Sequence, residues 1–284
     1  MTLDEVRAGL RAARYITTPR VETALFLALA LEKPLLAEGP AGAGKTELGK
    51  VLAQLLDTEL VRLQCYEGLD EARALFEWNY QKQLLRIQAD RGGWEDVSSH
   101  IFSREFLLER PLLRAIVAPR RVVLLIDEVD KADPEFEAFL LEVLSDFQVS
   151  VPELGTIAAR HRPAVVLTSN RTRELSEALV RRCLHLYVDF PGAEKEAEIV
   201  ALKVPELDER LRVQVARFVS RLRKLELKKA PSIAETLDWA RGLCALGVRE
   251  LDPTTVRQTL SLVVKHEEDL RKAESKVGAL LAAR

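Results

Sequence analysis

Cysteine is scarce in this 284-residue chain, at three. Cys65, Cys183 and Cys244 stand far apart, with no CxxC and no nearby histidine pair. A disulfide scaffold and a structural zinc site are therefore not expected, and a reducing cytosol suits the chain best. Histidine is nearly as scarce, at four, and His100, His161, His185 and His266 show no metal-ligand spacing. A surplus of charge is missing too. Lys and Arg number 42 against 44 Asp and Glu, a net charge of −2, so there is no global basic field for nucleic acid, although a local patch is not excluded. No apolar run is long enough for a bilayer, which needs about 20 residues. The most apolar early stretch, residues 24–39, is broken by Glu32 and Lys33. Asp4 and Glu5 stand where an export signal would be basic. The expectation is a cytoplasmic protein with no membrane insertion.

What is present is a folding composition, with 48% hydrophobic and 30% charged residues. Residues 1–33 read as helices. Pro34 to Glu38 is a short apolar run that enters a glycine-rich turn, and Glu47 to Leu56 has helical spacing. Further strands are expected at Glu59–Leu63, Arg121–Ile126, Ala164–Thr168 and Leu184–Val188. The second and third are continuous apolar runs, as in strands buried on both faces of a parallel sheet. Helices are expected at Asp70–Ala89, Phe106–Val117, Phe136–Leu144 and Glu174–Arg182. A loop is expected over residues 90–100, and a hairpin at residues 148–157 with Gly155 near its turn. Alternating strands and helices indicate an α/β parallel sheet. After Phe190-Pro191-Gly192 only helical periodicity remains, with one apolar stripe through Leu211, Val215, Phe218, Leu222 and Leu225. This divides the chain into an α/β core at 1–191 and a helical lid at 192–284.

Gly39-Pro40-Ala41-Gly42-Ala43-Gly44-Lys45-Thr46 fits GxxxxGK[ST] between a strand and a helix, the context that such a motif requires. Glycines let the backbone curl so that its N–H groups face an anion, and the following helix adds its N-terminal dipole. These eight residues and the adjoining Glu47 are the candidate nucleotide-binding set. Lys45 is placed to reach the β- and γ-phosphates of ATP, and the Thr46 hydroxyl to ligate Mg²⁺.

Asp127 and Glu128 follow a buried strand at the edge where ligands of open α/β sheets sit. Asp127 is the candidate Mg²⁺ holder, through its waters, and Glu128 the candidate base that polarises the attacking water. A second acid beside the first points to hydrolysis rather than to binding alone. Asn170 ends a strand of the same character. If that strand neighbours the Asp127 strand, its amide can meet the water or the γ-phosphate; alternatively it caps the next helix. Arg181 and Arg182 precede a strand rather than follow one, so they are expected to lie away from their own nucleotide. If they act, they act on a neighbouring subunit, and the spacing does not choose between them. The alternative is that they complement a helix C-terminus.

These parts, in this order, resemble an AAA+ ATPase. The phosphate loop corresponds to Walker A, Ile126-Asp-Glu-Val-Asp-Lys131 to Walker B, Asn170 to sensor 1, and Arg181 or Arg182 to the arginine finger. The finer resemblance is to the MoxR family, in particular its CoxD-like branch. It is carried by Glu38 to Thr46, Gln64-Cys-Tyr-Glu-Gly-Leu-Asp70, Glu77-Trp-Asn-Tyr80, Leu144-Ser-Asp-Phe-Gln148, Pro152-Glu-Leu-Gly155 and Leu184-His-Leu-Tyr-Val-Asp-Phe-Pro191. The resemblance spans about residues 5–265. It implies a P-loop NTPase sheet flanked by helices, carrying an insert near 65–100 and a hairpin near 147–160, then a small all-helical lid. It also implies hexameric rings with ATP at subunit interfaces, and chaperone-like remodelling of protein clients with a von Willebrand factor A-type partner. For CoxD-like members the clients are metalloenzymes of the carbon monoxide dehydrogenase type. One departure is visible: the stretch that would hold a sensor-2 arginine, Ala230 to Trp239, has none. Ser232 or Ile233 takes that place, and Arg241 is a substitute candidate. Gln64 is placed to relay partner binding to Glu128, or is a plain surface amide.

Other signals have ordinary readings. The lid's Arg210, Arg212, Arg217, Arg221, Arg223, Lys224, Lys228 and Lys229 suit a solvated face with ion pairs. Nucleic acid is not the expected partner, since aromatics are sparse there. Trp78, Tyr80 and Trp94 suit either a recognition surface or core packing. Two other function classes stay open: a nucleic-acid-stimulated motor or loader of similar architecture, and a nucleotide switch that scaffolds without hydrolysis. The paired acids and paired arginines disfavour a small-molecule kinase.

Overall fold

The computed structural model describes residues 1–89 and 101–282. The loop expected at 90–100, with Trp94 and His100, lies outside them. The chain divides into two compact units. One comprises Met1–Gly39 and Lys45–Tyr187, the other Pro40–Gly44 and Val188–Arg284.

The first unit opens with helices α1 (Leu3–Ala12) and α2 (Pro19–Ala30). Thr2 caps α1 in a capping box with Glu5, and Thr18 caps α2 with proline in its first turn. Strand β1 (Leu35–Glu38) leads through the glycine turn to α3 (Lys45–Leu55), and β2 (Leu60–Gln64) follows. Gly49 lets α3 approach the sheet closely, since a Cβ there would stand 3.1 Å from both Leu125 methyls. The later strands are β5 (Val123–Asp127), β8 (Ala164–Ser169) and β9 (Leu184–Tyr187), and the sheet order is β2-β5-β8-β1-β9, all parallel. Every residue of β5 and β8 is buried, which explains the apolar runs at residues 123–126 and 164–167.

The expected helix at Asp70–Ala89 is interrupted. Asp70 caps a four-residue helix α4 (Glu71–Ala74), Phe76–Trp78 forms strand β3, and α5 (Tyr80–Ala89) resumes beyond it. The expected helix at Phe106–Val117 likewise starts as strand β4 (Leu107–Glu109) before α6 (Pro111–Val117). β3 and β4 pair antiparallel, Trp78 opposite Leu107. The Trp78 ring meets Phe76 at 6.2 Å and Phe102 at 5.5 Å, both edge-on. Aromatics at alternate positions found a cross-strand partner some 30 residues away, and that pairing outweighed local helical spacing. Tyr80, by contrast, is exposed.

Helix α7 (Pro134–Asp146) runs into the hairpin β6 (Gln148–Val151) and β7 (Gly155–Ala158), whose turn holds Glu153 and Gly155 at positive φ. Helix α8 (Glu177–Arg182) begins later than its spacing suggested because Ser176 supplies its N-cap.

The second unit contains helices α9 (Ala193–Lys203), α10 (Glu209–Leu222), α11 (Ile233–Ala245), α12 (Pro253–Thr259) and α13 (Glu267–Ala282). Leu211, Val215, Phe218 and Leu222 of α10 are buried, and Leu225 packs against the same core from beyond the helix end. Phe218 and Trp239 meet at 5.3 Å. Inside this core Arg223 grips Glu196 in a two-pronged pair at 2.5 and 2.7 Å and lies over the Phe190 ring. Much of this unit's basic charge is spent internally. Arg210 pairs with Glu250, Lys228 with Glu268 and Lys229 with Glu235, while Arg212 and Arg221 donate to backbone carbonyls.

Candidate nucleotide site

The C-terminal ends of β1, β5 and β8 lie side by side, and they carry Gly39, Asp127 and Asn170 at or just beyond their last residues. The loop after β1 turns through Gly39, Gly42 and Gly44 at φ of 152°, 78° and 93°, conformations that only glycine adopts without strain. Within the second unit, the Ile233 N–H donates to the Gly42 carbonyl at 3.2 Å. A Cβ on Gly42 would stand 2.2 Å from that of Ser232. Ser232 caps α11 in a box with Glu235. Arg241 is occupied by an exposed ion pair with Asp238 at 3.0 Å.

In the first unit Lys45 opens α3 and is buried. Its Nζ donates to the Gly39 carbonyl at 2.8 Å and to Asn170 Oδ1 at 2.9 Å. Burial pulls the Lys45 pKa below the ordinary lysine value, against the opposing pull of Asp130, Asp127 and Glu128. Asn170 Nδ2 donates to Glu128 Oε1 at 3.2 Å. The Asn170 side chain thus links the lysine to Glu128, while Ser176 caps the helix that follows. Thr46 Oγ1 donates to Asp127 Oδ1 at 2.9 Å.

Glu128 sits in the left-handed region at φ 57° and ψ 48°, a strained setting for a non-glycine residue. Its N–H donates to Thr168 Oγ1 at 2.8 Å, and that hydroxyl donates to Asp127 Oδ1 at 2.6 Å. The Glu128 carboxylate also accepts from Gln64 Nε2 at 2.9 Å and pairs with Lys131 at 2.6 Å. Gln64 therefore does touch Glu128.

Behind these groups Asp130 is buried and accepts from the Asn170 N–H at 3.1 Å, the Thr172 N–H at 2.9 Å and the Thr172 hydroxyl at 2.7 Å. Burial works against its charge, but these hydrogen bonds outweigh it and hold its pKa below the usual carboxylate value. A lowered folded-state pKa means the stabilisation is present above the unfolded value of 3.8 and fades as pH falls through the folded one. Asp130→Asn is expected to cost about 1–3 kcal/mol of unfolding free energy at pH 7, with a smaller gap at pH 3.5, measured by urea denaturation. An equal gap at both pH values would contradict the role given to the carboxylate.

Arg181 and Arg182 end α8 on the surface and touch neither Lys45, Asp127 nor Glu128. Arg181 pairs with Glu177, and Arg182 donates to Ser145 Oγ at 2.7 Å.

Several contributors escaped the sequence reading. Arg62, Thr168 and Asp130 each contact a candidate residue. Their signals were present: Arg62 and Gln64 are alternate polar residues on an otherwise apolar strand, Thr168 is two residues before Asn170, and Asp130 follows the acid pair. Burial pushes the Cys65 thiol, just beyond Gln64, up to about 12, which removes it as a nucleophile at neutral pH.

Such a sheet edge defines a P-loop NTPase. A family model described as AAA domain (dynein-related subfamily) matches residues 34–183, and the chain belongs to that family. It is 34% identical over 169 residues to chaperone protein ClpB 2 of Parasynechococcus marenigrum, an alignment covering 58% of this chain and 16% of that protein. It is 27% identical over 217 residues to the gas vesicle ATPase GvpN of Haloferax mediterranei, covering 72% of this chain and 60% of that one. The chain thus spans under a fifth of the first relative and three fifths of the second. Among solved structures, a point variant of the RuvB protein superposes with a TM-score of 0.54 at 18% identity, over 88% of this chain and 71% of the other. The Thermotoga maritima RuvB Holliday junction branch migration motor gives 0.50 at 18% identity, over 92% and 76%. These likenesses establish the shared fold: a five-stranded parallel sheet flanked by helices, with further helices C-terminally. Among the described residues no helix is long and apolar enough to cross a membrane.

Proposed function

We propose that this chain is a magnesium-dependent ATP hydrolase of the MoxR type, CoxD-like branch, that works as a ring, with a hexamer as the expected size. The observation that carries the reading is the chain of contacts from Lys45 through Asn170 to Glu128, beside the Thr46–Asp127 pair. Membership of the AAA family supports ATP as the ligand. In this reading residues 1–191 act as the ATPase core and 192–284 as the lid.

The loop Gly39–Thr46 and Glu47 hold the nucleotide, with backbone N–H groups and Lys45 facing its phosphates. The donor set fits Mg²⁺: a hydroxyl and a carboxylate oxygen 2.9 Å apart are hard ligands of the kind this ion takes alongside waters and phosphates. When bound, it neutralises charge on the β- and γ-phosphates. Glu128 accepts a proton from and orients the attacking water, while Asn170 fixes the carboxylate and the lysine relative to each other. Arg181 or Arg182 comes from the neighbouring protomer.

The relatives' names, a chaperone and a gas vesicle ATPase, support remodelling of protein assemblies as the output. The finer assignment is maturation of a carbon monoxide dehydrogenase-type metalloenzyme in the cytoplasm, with a von Willebrand factor A-type partner. It rests on the sequence motifs, and capture of clients by Glu128→Gln protein followed by mass spectrometry tests it. Strong salt-sensitive stimulation of hydrolysis by DNA would point instead to a nucleic-acid motor.

Lys45→Ala tests the site. Loss of charge-assisted bonds worth about 1.5–3 kcal/mol predicts ATP affinity weakened about 10- to 100-fold by calorimetry. Unchanged affinity would move the phosphates elsewhere.

A further inference from the structure

Strand β2 buries Val61 and Leu63 and exposes Arg62 and Gln64 on the opposite face. Parallel pairing with β5 sets Gln64 in register with Asp127. From there Arg62 Nη2 donates to Asp127 Oδ2 at 2.5 Å and to Gln64 Oε1 at 2.6 Å. The other carboxylate oxygen, Oδ1, is taken by the Thr46 and Thr168 hydroxyls at 2.9 and 2.6 Å.

The two partners differ in freedom. The Asp127 side chain is 3% exposed, whereas that of Arg62 is 49% exposed. A buried carboxylate needs a nearby cation, and losing it without replacement is costly. A half-exposed arginine can swing into water, where its charge is well solvated, with little disturbance to its strand. The pair is therefore stable only from the side of Asp127, and it opens by movement of Arg62.

We propose that Arg62 is the resident counter-cation of Asp127 and competes with a divalent metal ion for that carboxylate. The inference rests on the reading of Asp127 as the metal-holding acid. Arg62 is a positioning residue in this scheme: it balances the charge of the Asp127 carboxylate and holds it aligned, and it leaves Oδ2 when a divalent cation supplies the charge. Its withdrawal also removes a donor from Gln64 Oε1, whose amide nitrogen donates to Glu128 Oε2 at 2.9 Å.

The test uses Mn²⁺ as the probe, with free ion counted by electron paramagnetic resonance in the presence of saturating ADP. Arg62→Met is expected to tighten Mn²⁺ binding about tenfold, the scale on which neighbours of a metal ligand change affinity. Arg62→Lys keeps the charge and is expected to stay near the wild-type value. Gln64→Leu leaves the Arg62–Asp127 pair in place and is also expected to stay there. Circular dichroism melts confirm that each variant is folded. Mn²⁺ affinity unchanged or weakened in Arg62→Met would overturn the competition, as would equal tightening in Gln64→Leu. A wild-type protein that takes up ADP but no Mn²⁺ would overturn the metal reading of Asp127 and this inference with it. Wild-type uptake of both, with no effect of Arg62→Met, would overturn the inference alone.

Discussion

Glu128→Gln is expected to bind ATP within a few-fold of the wild-type affinity and to release phosphate about 10²- to 10⁴-fold more slowly, the range for removal of a general base. The substitution keeps the shape of the side chain and changes its charge and proton affinity. Its backbone anchor, the bond to Thr168 Oγ1, is untouched, and Lys45 keeps its own bond to the Gly39 carbonyl. Binding and turnover should therefore separate. The strained backbone at φ 57° gives a reason to look here first, because such strain persists only where surrounding contacts hold it. Calorimetry for affinity and single-turnover phosphate release give the two numbers. Near-normal turnover would remove Glu128 as the base.

Alanine at the acting arginine of the Arg181–Arg182 pair is expected to lower turnover about 10³- to 10⁵-fold, the worth of an arginine finger. Alanine at the other is expected to matter little. Neither guanidinium meets the site of its own chain. Arg181 is 76% exposed and is held by one i,i+4 pair with Glu177, the kind that contributes about 0.3–0.5 kcal/mol. It is thus readily redirected to a neighbour's phosphate. Arg182 is tied to Ser145 Oγ and the Ala178 carbonyl, at the C-terminus of its own helix. The loss should appear in turnover and not in ATP affinity. Two single variants with near-normal rates would exclude the pair.

Much of the first unit was legible because its signals are local. A glycine-rich loop between an apolar strand and a helix, and β-branched runs ending in Asp127 and Asn170, need only a window of ten residues to be read. The adjacency of those two strands was stated as a condition, and the order β2-β5-β8-β1-β9 meets it. What escaped was non-local. Phe76 and Trp78 read as helix because their strand partner, Leu107–Glu109, lies beyond the next helix. Arg62 received no role because its meeting with Asp127 depends on strand register. Asp130 read as one more acid in a motif, although its partners, Asn170 and Thr172, are 40 and 42 residues away.

The central claim is that one protomer grips ATP and another supplies a cation to cleave it. Mixing two proteins tests it most directly, with ATP held well below the weakened affinity of the first: Lys45→Ala, which grips poorly but keeps both arginines, and the Arg181→Ala, Arg182→Ala double variant, which keeps the grip. The account predicts that each alone is nearly silent and that phosphate release reappears on mixing, rising with total protein concentration. Silence at every mixing ratio, with both proteins folded and assembled, would contradict it.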